Sequence, residues 1–176
     1  MDLQNHRDQI AELAWSVNRA LTAYIEIHNT IFRASYSRWS FLKNVSGLGV
    51  PMATLLAESE RLLPLWDDVY EQAATLRQSS YPSFSKGEQI YFDLMSQYVD
   101  AVRFTIVALV DRQRLMDQGA KGAPWWTWKS WKALQQKDRV YRQSIDHYVE
   151  IGGKLNAASR ILGIDRISPP IPAHGA

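Results

Sequence analysis

A chain of 176 residues with 46% apolar and 22% charged residues has the composition of one globular domain with its own core, far from that of a disordered chain. It has no cysteine, which excludes disulfides, thiolate nucleophiles, cysteine zinc sites and iron–sulfur clusters. The net charge of +2 does not by itself demand a polyanionic partner, although residues 125–162 carry seven Lys/Arg against three Asp/Glu and residues 50–78 carry two against five.

Residues 1–13 have neither the basic start nor the unbroken apolar stretch of a secretory signal. The longest apolar candidate, residues 104–110, spans seven positions, against the ~20 that a membrane span needs. We expect a cytoplasmic chain without a membrane span.

Heptad spacing, in which apolar residues alternate steps of three and four, turns one stripe of a helix toward its neighbours. Over residues 2–33 that stripe is Leu3, His6, Ile10, Leu13, Val17, Ala20, Tyr24, Ile27 and Ile31, which predicts a first long helix. Residues 34–44 either extend it or, as we prefer, form a short connecting helix. The second stripe is Met52, Leu55, Ser59, Leu62, Trp66, Val69, Ala73 and Leu76, with Pro51 suited to the first turn. Pro64 removes a backbone donor inside this helix and should kink it near residues 60–64 or split it in two.

The third stripe is Phe92, Met95, Val99, Val102, Ile106 and Leu109, extended to Met116 and widened by Leu94, Tyr98 and Ala101. Ser85 with Glu88 three residues later predicts a capping box at its start, and Gly119 and Gly122 mark its end. The fourth runs Trp131, Leu134, Asp138, Tyr141, Ile145, Tyr148, Gly152, Leu155, Ser159 and Leu162, after Pro124, with Gly163 suited to a left-handed cap. Gly152 and Gly153 inside a helix cost on the order of 1 kcal/mol each against alanine, so a bulky neighbour such as Trp66 or a tyrosine is expected close by.

Short loops after residues 78 and 119 favour antiparallel neighbours. The expected fold is all-α, an antiparallel up-down bundle of four long helices with a short connecting helix after helix one. It forms a single domain over residues 1–163, followed by a disordered, flexible Pro-rich C-terminal tail at 164–176. In that tail Arg166, Pro169 and Pro172 match a polyproline-ligand spacing, which we read as a plain disordered terminus.

Few constellations carry chemistry. Bundle di-iron proteins use Glu-x-x-His pairs, and the chain contains only the reverse, His147-x-x-Glu150, which reads as an exposed helical ion pair. There is no Gly-x-Ser-x-Gly elbow and no phosphate-binding glycine loop. We expect no metal and no cofactor.

Two features remain. Trp125, Trp126, Trp128 and Trp131, interleaved with Lys129 and Lys132, cannot all face one core stripe, because successive helical positions turn by about 100°. Either these rings cap the bundle end against Trp39 and Phe41, or Trp125, Trp126, Trp128, Lys129 and Lys132 bind a protein partner or a second copy. The expected function is a non-enzymatic interaction protein, self-associating or docking a partner through this Trp-rich helix start.

The second feature is Arg142-Gln143-Ser144-Ile145-Asp146-His147, which resembles the Arg-x4–6-His motif of HEPN ribonucleases, small helical bundles of bacterial toxin and defence systems. Ile145 fits the apolar position of the motif, while Gln143 stands where the family usually has Asn, Asp or His after the arginine. The resemblance implies a metal-independent, dimeric endoribonuclease in which Arg142 stabilises phosphate charge and His147 transfers a proton. Without that role, Arg142 is one rung of a surface ladder, four residues from both Asp138 and Asp146. A third alternative places a small apolar ligand between the helices, among the seam residues His6, Ser59, Thr105, Asp138 and Ser159. A buried Asp138 would need an arginine or a tyrosine hydroxyl.

Overall fold

The computed structural model describes residues 2–36, 51–121 and 128–163, and the side chains of 6–32, 51–118 and 131–163. Among the described residues five helices make four rods: α1 (Asp2–Tyr36), α2 (Met52–Glu60) followed by α3 (Leu62–Ser79), α4 (Lys86–Lys121) and α5 (Trp128–Leu162). A single 3-10 turn, Tyr81–Ser83, joins α3 to α4, and no strand occurs among the described residues. The expected all-α bundle is the observed fold. No helix among the described residues is long and apolar enough to cross a membrane.

Cross-helix pairs set the directions. Arg77 meets Asp93, Arg103 meets Asp67 and Arg114 meets Glu60, so residue numbers rise along α4 as they fall along α2 and α3. Arg112 meets Asp138 and Tyr98 lies against Gly152, so α5 also runs antiparallel to α4. Arg7 pairs with Glu88 near one end and Phe32 packs under Arg112 near the other, which makes α1 parallel to α4. Two carboxylates of the acidic second rod, Glu60 and Asp67, thus pair with arginines of α4.

The heptad stripes form one core. Ile10, Leu13, Val17, Ala20, Tyr24 and Ile31 of α1 are buried with Leu55, Leu62, Trp66, Val69 and Ala73. Against them lie Phe92, Met95, Val99, Val102, Ile106 and Leu109 of α4 and Tyr141, Tyr148 and Leu155 of α5. Two of the polar seam residues satisfy themselves on their own helix: Ser59 donates to the Leu55 carbonyl and Thr105 to that of Ala101, both at 2.8 Å.

Local chemistry explains the boundaries. The second rod breaks at Arg61, and α2 ends at Glu60, whose carbonyl is the one a residue at 64 would bond but Pro64 cannot. Pro51 stands at the N-cap, one position before the first turn, its carbonyl accepting from Thr54 and Leu55. The capping box before α4 is formed: the Ser85 N–H donates to Glu88 Oε2 at 2.9 Å, and the Glu88 N–H donates to Ser85 Oγ at 3.4 Å. Gly163 takes φ +67, the left-handed region glycine tolerates, and closes α5 onto the Arg160 carbonyl.

Some boundaries differ from the pattern. Helix α1 continues to Tyr36, and α4 runs through Gly119 to Lys121, because one glycine inside a packed helix costs less than ending it. Residues 37–44 of the expected connecting helix, Gly122, Pro124, the Trp39 and Phe41 contact and the tail at 164–176 lie outside the described residues.

Candidate functional site

Helix α5 faces α1 across a seam filled by rings rather than by small side chains. The Tyr24 and Tyr141 hydroxyls share a hydrogen bond of 2.9 Å, and Tyr141 shares a second, of 2.6 Å, with Nδ1 of His28. Tyr148 meets both Tyr24 and Tyr98 edge to face. Burial pushes the Tyr24, Tyr98, Tyr141 and Tyr148 phenols above the ordinary tyrosine value, the hydrogen bond from Tyr24 only partly opposing this at Tyr141. These hydroxyls are neutral hydrogen-bonding groups.

Phe32 ends this array. It stacks on His28 at 4.5 Å and nearly parallel to Tyr141 at 5.7 Å, and the Arg112 guanidinium lies 5.3 Å from its ring centre. Arg112 is almost fully buried, and its Nε donates to Asp138 Oδ1 at 2.9 Å. The other oxygen of Asp138 accepts from Arg142 Nε at 2.8 Å. One carboxylate therefore bridges two guanidiniums, which answers the need for an arginine partner at that seam position.

Beyond Phe32 and Arg112 a cleft of about 640 Å³ opens along the first half of α5. Trp131, Leu134, Gln135, Asp138, Arg139, Arg142, Gln143 and Asp146 supply its α5 wall. Its volume falls in the range of ligand sites, roughly 300–1,000 Å³. Three guanidiniums face two carboxylates in this lining.

The residues singled out from the sequence fall unevenly around this cleft. Trp125 and Trp126 lie outside the described residues, and Trp128 and Lys129 belong to the first turn of α5 with side chains outside the described set. Lys132 is exposed, as is Trp131, at 45%. The heptad pattern turns Trp131 inward, but it sits on the cleft rim, where no helix among the described residues covers it. Arg142 lines the cleft, held to Asp138, whereas His147 is exposed outside the lining. Glu150 accepts a hydrogen bond from Lys154 at 2.6 Å, and this ammonium, with a smaller contribution from the charge of His147, holds its carboxyl below the usual range.

Arg112, Arg139, Phe32 and the Tyr24–Tyr141–His28 chain escaped the sequence reading. Arg112 left a trace, because it lies three residues after Leu109 and four before Met116, a core position given to a charge. Among the described residues no cluster of three or more His, Asp or Glu is placed to hold a metal ion. No protein-family model, no curated protein and no solved structure matches this chain.

Proposed function

We propose that this chain is a non-enzymatic helical-bundle interaction protein that docks a protein partner, or a second copy of itself, through the start of α5. Trp131 carries the proposal. A large indole at a heptad position, left 45% exposed beside Lys132 and on the rim of an arginine-bearing cleft, has the composition of an interface anchor. Trp125, Trp126 and Trp128 adjoin it in sequence and extend the same aromatic character.

The test compares wild type with Trp131→Ala by light scattering over a range of concentrations, together with photo-crosslinking from position 132. Docking predicts a self-associated or crosslinked species that Trp131→Ala loses while its helical content stays unchanged. A monomer at every concentration, with no crosslink that depends on Trp131, would defeat it.

A second function is favoured by the exposure of both Arg142 and His147 on α5, where a second copy could meet them: a dimeric, metal-independent HEPN-like ribonuclease. It requires Asp138 to release the Arg142 guanidinium for phosphate. Wild type and an Arg142→Ala/His147→Ala double variant are incubated with RNA. Equal survival of the RNA in the two eliminates the nuclease.

A further inference from the structure

The cleft wall is fixed on one side and uncommitted on the other. Arg112 is held by Asp138, by the Met116 sulfur at 3.3 Å and by the Phe32 ring, so the inner wall is preorganised. Asp138 already serves Arg112 and Arg142. Arg139, one residue on, lines the same cleft and makes no ion pair or hydrogen bond among the described residues. Trp131 gives the cleft an exposed indole, Phe32, whose ring already meets His28 and the Arg112 guanidinium, lies in the same lining, and Gln135 and Gln143 add amides able to donate or accept.

The ligand class follows from that inventory. A purely apolar guest would desolvate the lining guanidiniums and give nothing back. A multiply charged phosphate would leave the exposed indole unused and would meet the carboxylate of Asp146 on the same wall. One negative charge balances three guanidiniums against two carboxylates, and a flat ring uses the indole.

We propose that this cleft binds a small aromatic monocarboxylate, with its ring against the Trp131 indole and its carboxylate on the fork of Arg139. The site shares Trp131 with the proposed docking surface but needs no partner protein, so ligand binding by the chain alone tests it apart from docking. Asp146 opposes the bound anion and limits affinity.

Calorimetric titration of the whole chain with 2-naphthoate tests this, with 2-naphthalenemethanol as the uncharged control and acetate as the ringless one. One saturable site is expected for naphthoate, with both controls at least about tenfold weaker. Arg139→Gln should weaken naphthoate by about tenfold, Asp146→Asn should tighten it, and Arg160→Gln, toward the far end of α5, should leave it unchanged. Thermal melts establish that each variant folds, and because Arg139 is exposed its replacement leaves the core intact. No binding up to the solubility of naphthoate overturns the proposal. So does equal affinity for the alcohol, or unchanged affinity in Arg139→Gln.

Discussion

The Tyr141 hydroxyl of α5 lies 2.6 Å from Nδ1 of His28 on α1, a hydrogen bond that joins the first and last helices across the ring-filled seam. Tyr141 also bonds the buried Tyr24 hydroxyl. Because a hydroxyl carries one proton, a neutral His28 accepting from Tyr141 leaves Tyr24 to donate to Tyr141, and the direction of the whole chain is set by the imidazole.

Tyr141→Phe keeps the ring stack with Phe32 but removes the hydroxyl partner of His28 Nδ1 and one of the two hydroxyls, of Tyr141 and Tyr148, that meet the Tyr24 hydroxyl. We expect a loss of about 1 kcal/mol for each hydrogen bond removed, read as a lower urea midpoint at unchanged slope. A variant as stable as wild type would mean that the hydrogen bonds contribute nothing net.

The bundle should weaken on the alkaline side. Tyr24, Tyr98, Tyr141 and Tyr148 keep their protons to higher pH when folded than when unfolded. Above the unfolded tyrosine value of about 10, the folded chain then holds more protons than the unfolded one. Stability falls as pH rises, by about 1.4 kcal/mol per pH unit for each such group, until the folded groups titrate. Ultraviolet absorbance should show a fraction of the phenols ionising only when the helical signal is lost, and smooth ionisation of every tyrosine in folded protein would contradict this.

Asp138 should matter far more than Arg142. Asp138→Asn removes the charge facing the buried Arg112, and we expect a cost of about 3 kcal/mol. Arg142→Ala breaks an exposed pair four residues apart on one helix and should cost about 0.5 kcal/mol. Chemical denaturation of the two variants decides, and a reversed order would mean that Arg112 is not the group Asp138 neutralises.

The adjacent glycines of α5 separate packing from propensity. A Cβ at Gly153 would meet nothing within 4 Å, so Gly153→Ala should gain about 1 kcal/mol from helix propensity. At Gly152 the same Cβ would stand 3.1 Å from Tyr98 Cε2, and the ring, packed against Tyr148, has to give way. Gly152→Ala should therefore melt below Gly153→Ala, and equal midpoints would show that the contact is not tight.

The capping box at Glu88 sets an acid limb. Burial raises the Glu88 carboxyl, but hydrogen bonds with Ser85 and the nearby Arg7 outweigh it, so the net shift is downward. Its contribution is therefore complete above the unfolded glutamate value of about 4.3 and lost as pH falls through the lower folded value. Glu88→Ala should cost about 1 kcal/mol at neutral pH and flatten that acid limb in melts at successive pH values. An unchanged acid profile would assign it to other carboxylates.

Helical periodicity alone located four rods, because heptad spacing is a local property: Val17, Trp66, Val102 and Tyr148 had to share an interior once each stretch was helical. The Ser85–Glu88 cap, the break before Pro64 and the Gly163 terminus were legible for the same reason, since each depends on residues a few positions apart. Residues from three helices make the cleft, and no spacing in one of them announces the others. Arg112, Phe32 and Asp138 are 26 to 106 positions apart in sequence, and only the packing of α1, α4 and α5 brings them together. Tertiary structure likewise decided that Trp131 faces the cleft rather than the core, because a heptad names the inward side of a helix but not whether another helix is there to cover it.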